Sequence, residues 1–182
     1  MTGAVTHLFI AILAAWTIAG LSGYLLPMTV ALALGALVGF AALIFPKNPV
    51  SRGLIAILDP VGVVLPLLAL RHMAGWFGLS GYAFSATELT VFLIVFVLFL
   101  AAATDKLPFD PYRLGYSPIP VALVVLAICL IGAVQGSFFL PALAVLAQVL
   151  WVLRWGSSNY FDHILHATLV PVVLIELIGR LL

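Results

Sequence analysis

The sequence predicts an all-α integral membrane protein, a bundle of transmembrane helices forming one domain over residues 1–182. The first observation is composition, because 65% of the residues are hydrophobic and only 7% are charged. A soluble domain carries about 25% charged residues and needs polar groups over its surface. The second observation is that the apolar residues form runs close to the about 20 residues that a helix needs to cross a bilayer. The lipid bilayer is therefore the first predicted partner.

The charge pattern excludes nucleic-acid binding. The net charge is only +1, and the lysines and arginines are scattered singly, whereas a nucleic-acid surface needs clustered basic residues. The single cysteine, Cys129, lies within an apolar run, so neither an intrachain disulfide nor a multi-cysteine metal site is predicted. Disorder is excluded as well, since it requires low hydrophobicity and high net charge.

The chain divides into about seven apolar runs of the length of a membrane span. The predicted spans lie near residues 5–25, 28–46, 53–74, 85–104, 119–135, 137–155 and 160–182. At Gln135, Gly136 and Ser137 the sequence allows either a tight hairpin or a kink, and a kink would reduce the count to six. Prolines in the third, sixth and last spans remove backbone hydrogen bonds, which predicts kinks or backbone that lines a cavity: Pro60, Pro66, Pro141 and Pro171.

Basic residues in short loops predict the orientation, since such residues stay preferentially on the cytoplasmic side. With the N-terminus inside, two of the seven basic residues, Arg71 and Arg180, fall on the outer side. The other five fall on the cytoplasmic side: Lys47, Arg52, Lys106, Arg113 and Arg154. The sequence therefore predicts an N-in, C-out protein. Compact loops and no targeting segment favour a bacterial inner membrane.

Ionisable side chains within the predicted spans are the first candidate functional residues, because each costs a few kcal/mol at membrane depth. Asp59 lies in the third span, and Asp162, His163 and His166 begin the last one. In a continuous helix Asp162 and His166 share one face. If the third and last spans touch, Asp59 and His166 meet, and the carboxylate favours a protonated imidazole. The alternative is that Asp162 caps the helix while the histidines lie among lipid headgroups.

A second group of ionisable residues lies toward the opposite ends of the same spans. Glu176 and Arg180 are four residues apart, a spacing that predicts a pair along one helix. In the alternative arrangement Glu176 faces Arg71 or His72 across the bundle. Ionisable groups would then lie at both ends of one cavity, as an ion-coupled transporter requires.

The longest polar connection, DKLPFDPYRLGYSPIP, is a candidate for contact with a lipid headgroup or a partner. It contains two acids and two bases with the chemistry to bind a metal or a phosphate, Asp105, Lys106, Asp110 and Arg113. The alternative is a solvated loop that follows the positive-inside pattern.

Histidines allow a cofactor site, although no spacing signature supports one and no cofactor is predicted. His163 and His166 are three residues apart and can share a metal with Asp162 or Asp59. His7 can pair with either histidine as a haem ligand.

Three classes of function remain. A transporter or channel-like protein for protons, ions or a small solute ranks first, because ionisable groups lie on proline-containing spans. An accessory subunit of a membrane complex, or a homo-oligomer, ranks second. It is favoured by the small residues Ala31, Gly35 and Gly39, which allow close helix packing inside the chain or with a partner. An intramembrane enzyme or haem- or metal-binding subunit ranks third, because no GxSxG, HExxH or P-loop motif is present.

Overall fold

A computed structural model describes residues 3–45, 47–49, 52–53, 63–79, 83–104 and 108–181. The protein is 78% helical, and these residues contain no strand, which confirms the predicted all-α fold. Four residues singled out above lie outside the described residues, Asp59, Pro60, Asp105 and Lys106.

The chain forms two compact units, Met1–Ala83 (unit 1) and Phe84–Leu182 (unit 2). The described helices of unit 1 are α1 (Gly3–Gly23), α2 (Met28–Ile44) and α3 (Val64–Trp76). Those of unit 2 are α4 (Ala86–Ala103), a 3₁₀ helix (Pro111–Tyr116), α5 (Pro118–Gln135), α6 (Phe139–Val152), α7 (Phe161–Ile164) and α8 (Leu169–Gly179). A helix thus occurs at the position of each of the seven predicted spans.

Three of these helices are long and apolar enough to cross a bilayer: α1, α4 and α5. Their side chains are mostly exposed within the chain, since only 11% of α4 and 17% of α5 are buried over an 18-residue window. In water such exposed apolar surfaces would cause aggregation, whereas in a bilayer they face the apolar lipid tails. Helices α2, α6 and α8 are shorter apolar helices of 17, 14 and 11 residues.

In unit 1 the backbones of α1 and α2 approach each other closely along the small-residue face of α2. A Cβ atom added at Gly35 would lie 2.5 Å from the carbonyl oxygen of Ala15, and one at Gly39 would lie 2.8 Å from that of Ala11. Residue numbers rise along α2 as they fall along α1, so the two helices are antiparallel. The predicted close packing of Gly35 and Gly39 is therefore used inside the chain.

Helix α3 packs on α1 in the opposite sense to α2. The Trp16 indole N–H donates to His72 Nδ1 at 3.1 Å, and a Cβ at Gly20 would lie 3.3 Å from the ring of Trp76. These contacts advance by one turn along both helices, so α1 and α3 are parallel. Because a side chain at position 20 would contact the indole ring, glycine there leaves room for Trp76 to pack against α1.

In unit 2 the turn between α5 and α6 is a tight reversal and not a kink. Gly136 has φ of 65°, in the left-handed region that favours glycine. Ser137 donates its backbone N–H to the Gly132 carbonyl at 2.8 Å, and Gly136 donates to Ala133 at 3.3 Å, which is a Schellman motif. A Cβ at Gly132 would overlap Pro141, so the two helices pack together directly after the turn.

Helices α4 and α8 of unit 2 run antiparallel and are tied at one end. Ser85 and Glu88 form a capping box that begins α4. Arg180, just after α8, donates to the Phe84 carbonyl at 2.8 Å. Arg180 also lies 3.8 Å from Glu176, which confirms the predicted i, i+4 pair.

The last predicted span is wrong as one continuous helix. It consists of the single-turn α7 and of α8, and Leu165 between them has an extended backbone with φ of −105° and ψ of 90°. Asp162 and His166 therefore do not share a face of one helix. Pro171 is the third residue of α8, where its missing N–H has no intrahelical acceptor to lose.

Pro66 and Pro141 also lie in the first turn of a helix. Pro66 is the third residue of α3 and Pro141 is the third residue of α6. In the first turn of a helix a proline removes no i to i−4 hydrogen bond. None of the three prolines therefore kinks a continuous helix. The break predicted at Pro171 is present as a boundary between two helices, because the extended backbone at Leu165 interrupts the last predicted span shortly before this proline.

Candidate functional site

Polar side chains gather at the end of unit 2 where α5 begins and α6 ends. Two segments meet there, the 3₁₀ helix and the connection 153–168. We call the hydrogen-bonded side chains of these segments the polar cluster: Tyr112, Ser157, Asn159, Asp162, His163 and His166. In an otherwise apolar unit, these groups are the richest concentration of hydrogen-bonding chemistry among the described residues.

The 3₁₀ helix is shaped by local sequence. The Asp110 carboxylate accepts a hydrogen bond from the Tyr112 backbone N–H at 2.9 Å, and Pro111 follows as the first helical residue. A Cβ at Gly115 would overlap the side chain of Asn159 and lie 2.7 Å from the ring of Phe161. Glycine at 115 therefore lets the connection approach the 3₁₀ backbone.

Asn159 joins the two segments. It is fully buried, its Nδ2 donates to the Tyr112 carbonyl at 2.8 Å, and its Oδ1 accepts from the Phe161 N–H at 2.8 Å. The Tyr160 backbone N–H donates to the Gly115 carbonyl at 3.0 Å. Since a buried amide costs free energy unless it is hydrogen-bonded, these contacts fix the connection in place.

Asp162 is the centre of the hydroxyl network. Its Oδ2 accepts from the Tyr112 hydroxyl at 2.9 Å and from the Ser157 hydroxyl at 2.5 Å. The Tyr116 ring packs edge-on against that of Tyr112, with the ring centroids 5.6 Å apart. Burial raises the pKa of the Tyr112 hydroxyl above its ordinary value, and its interactions with Tyr116 and Asp162 raise that pKa further. Asp162 does not cap α7, so the predicted capping role is wrong.

His163 and His166 extend the network inward. They are 2% and 6% exposed, so both rings are enclosed by the side chains and backbone of unit 2. His163 Nε2 lies 3.0 Å from the Ser157 carbonyl, and His166 Nε2 lies 3.0 Å from the His163 carbonyl. A carbonyl oxygen can only accept, so each Nε2 carries its proton.

The described surroundings of His166 favour its neutral form. Burial lowers the pKa of His166 to about 4, although the His163 carbonyl and the Asp162 carboxylate act in the opposite direction. The imidazole is therefore neutral at pH 7. The predicted pairing with Asp59, which would favour a protonated ring, involves a residue outside the described part of the chain.

The remaining predicted site residues lie elsewhere. His7, Arg71 and His72 belong to unit 1, where Arg71 is 8% exposed and His72 contacts Trp16 and Trp76. Glu176 lies on α8 beside Arg180. Of the predicted loop residues, Asp110 caps the 3₁₀ helix and Arg113 is exposed on it.

In the described part of the chain, no three His, Cys, Asp or Glu side chains lie together with the geometry to hold a metal ion. Asp59, a predicted metal ligand, lies outside the described residues. Within the described cluster, His163 and His166 each direct one ring nitrogen to a backbone carbonyl.

Sequence reasoning missed the partners of the predicted residues. Ser157, Asn159 and Tyr160 lie in the stretch GSSNY, whose consecutive polar residues between two apolar runs were the available signal. The pairing of Asp162 with Tyr112 bridges 50 positions of sequence. No periodicity predicts a contact of that separation.

No protein family model, curated protein or solved structure matches this chain.

Proposed function

We propose that this protein is a multi-pass transporter or channel-like protein that moves protons, or an ion or small solute together with protons, across a membrane. The observation that supports this proposal is the polar cluster. Ionisable groups are costly in an apolar helical unit, so their concentration in one hydrogen-bonded network favours a functional role.

The network offers a path for protons from the surface inward. Tyr116 is 50% exposed and packs against the ring of Tyr112. The Tyr112 hydroxyl leads to the Asp162 carboxylate and on to Ser157. Hydroxyl and carboxylate groups both accept and release hydrogen-bonded protons. Asp162 is the group we propose as the proton acceptor of this path.

His166 is the innermost proposed proton-binding group. It is neutral at pH 7 and its Nε2 is committed to the His163 carbonyl, so Nδ1 is the atom that takes up a proton. Protonation of His166 is favoured by the Asp162 carboxylate and opposed by burial. A conformational change that lets water reach the ring would therefore increase its protonation.

We also propose seven crossings with the N-terminus inside and the C-terminus outside, in a bacterial inner membrane. The basic residues support the orientation, five against two. The alternating directions of α1, α2 and α3, and the tight reversal at Gly136, support chain reversal between successive spans. In this topology the polar cluster lies at the cytoplasmic end of unit 2.

Proton flux into proteoliposomes tests the proposal. With a pH-sensitive dye inside and an imposed pH gradient, Asp162→Asn is expected to reduce the initial flux at least about tenfold, because the amide does not ionise. Asp110→Asn is the matched control, since it makes the same chemical change at the same end and asparagine caps a helix as well as aspartate. Equal flux from the wild type, Asp162→Asn and empty liposomes would refute proton movement by this chain.

An accessory subunit of a larger membrane complex is the second candidate. The observation that favours it is that the polar cluster is hydrogen-bonded within its own unit, as a structural lock would be. This candidate predicts stoichiometric partner chains after gentle purification. It also predicts that Asp162→Asn changes stability without changing any flux.

A further inference from the structure

The end of unit 2 that holds the polar cluster also carries exposed aromatic and basic side chains. We call these residues the interfacial rim: Phe109, Arg113, Tyr116, Arg154 and Trp155. Phe109, Tyr116 and Trp155 are 61%, 50% and 43% exposed, and both arginines are exposed. The rim's two segments are tied together through Asn159 and Tyr160, so they form one surface.

Arg154 has a backbone conformation that disfavours a side chain. Its φ is 55°, and among the described residues it is the one non-glycine residue with positive φ. It follows α6 in a Schellman motif, in which Trp155 donates to the Leu150 carbonyl at 2.9 Å and Arg154 donates to Trp151 at 3.1 Å. At the equivalent position after α5 the chain has Gly136. Glycine would adopt this conformation with less strain than arginine, so the presence of arginine suggests that its side chain has a function.

Among the described residues, the carboxylates nearest the rim in sequence both accept hydrogen bonds. Asp110 accepts from the Tyr112 N–H, and Asp162 accepts from Tyr112 and Ser157. The exposed side chains that form the rim are two guanidinium groups and three aromatic rings. A guanidinium matches phosphate geometry with two parallel hydrogen bonds, and Trp and Tyr favour the depth of lipid headgroups.

We infer that the interfacial rim binds the phosphate headgroups of anionic phospholipids through Arg113 and Arg154. This inference holds whether the protein is a transporter or an accessory subunit. A cation after α6 would also favour the helix dipole, but that role requires neither a left-handed arginine nor a lipid preference. Lipid selectivity is therefore the property that separates the two explanations.

The test is native mass spectrometry of the full chain in mild detergent with equal amounts of phosphatidylglycerol and phosphatidylcholine. We expect the wild type to retain phosphatidylglycerol preferentially. Loss of one juxtamembrane positive charge lowers affinity about fivefold, so Arg113→Gln and Arg154→Gly should each reduce the preference by about that factor, and the double variant by more. Arg180→Gln is the control, because Arg180 lies at the opposite end of unit 2, where it donates to the Phe84 carbonyl. It should leave the preference within about twofold, since the attraction falls off within a Debye length.

Arg154→Gly separates lipid binding from folding. Glycine relieves the backbone strain, so this variant should melt a few degrees higher than the wild type in lipid-free detergent while losing phosphatidylglycerol preference. A rise in melting temperature with unchanged preference would overturn the inference. So would equal stabilisation by inorganic phosphate, which would indicate a site for the free anion.

Discussion

In unit 1 the backbones of α1 and α2 meet at Gly35 and Gly39, whereas in unit 2 side-chain hydrogen bonds tie the connection 153–168 to the 3₁₀ helix. Lipid tails are as apolar as leucine, so burial of apolar surface does little to bring helices together in a bilayer. Close packing of small residues and polar contacts remain as the two means of association. The units therefore illustrate both means within one chain.

The two kinds of contact also differ in whether they can support proton transfer or catalysis. A close backbone contact leaves no space and presents no exchangeable proton. The polar cluster contains a carboxylate, two imidazoles and hydroxyl groups. We therefore locate stability determinants in the α1–α2 contact and the candidate function in unit 2.

Gly35→Leu is expected to have the largest effect on stability. A Cβ there would lie 2.5 Å from the Ala15 carbonyl oxygen and 2.9 Å from the Ala19 Cβ, so the helices must separate. Overpacking of this kind costs typically 1–3 kcal/mol, and for a leucine against backbone we expect about 3 kcal/mol or more. Unfolding in detergent, followed by hydrogen exchange in peptides of unit 1, measures the loss.

Gly53→Leu is the matched control for Gly35→Leu. Gly53 is exposed, and no atom in the described part of the chain lies within 4 Å of a Cβ built on it. We expect a change of less than about 0.5 kcal/mol, as for surface substitutions in general. Equal losses from both leucine variants would mean that the close contact in unit 1 does not determine stability.

Acid is expected to weaken unit 2 through His166. The ordinary histidine pKa is 6.5 and that of His166 is about 4, so between these values the unfolded chain binds more protons than the folded one. The stabilisation is complete above pH 6.5 and is lost as the pH falls toward 4, by about 2–3 kcal/mol. Unit-specific hydrogen exchange at pH 7.5 and pH 4.5 measures it.

His166→Gln is the control for the acid prediction. Glutamine does not titrate, and its amide can still donate to the His163 carbonyl. The difference in pH dependence between wild type and variant isolates the contribution of His166 from that of the carboxylates. An identical pH dependence in both proteins would exclude a buried neutral imidazole as its source.

The sequence predicted the helices better than their ends. Composition and the length of the apolar runs were sufficient to predict an all-helical membrane protein, because both depend directly on whether the chain is surrounded by lipid or by water. The last span was predicted as one helix because residues 160–182 form a long apolar run. In the structure His163 and His166 are hydrogen-bonded to backbone carbonyls, and a new helix with Pro171 in its first turn follows.

The candidate site was only partly predictable. Depth in an apolar run selected His163, His166 and Asp162, and all three belong to the polar cluster. Their contacts with the 3₁₀ helix depend on side chains 47 to 50 positions away. Such contacts arise from the packing of unit 2 and leave no periodic pattern in the sequence.

Glu176→Gln is expected to have the smallest effect. Glu176 and Arg180 are 27% and 38% exposed and 3.8 Å apart, and exposed i, i+4 pairs contribute about 0.3–0.5 kcal/mol. Because Arg180 also donates to the Phe84 carbonyl, its position does not depend on the glutamate alone. We therefore expect less than about 0.5 kcal/mol in detergent unfolding, with proton flux equal to that of the wild type. Loss of flux at unchanged stability would instead give Glu176 a role in the pathway, so that ionisable groups at both ends of unit 2 act together and the polar cluster alone does not define the site.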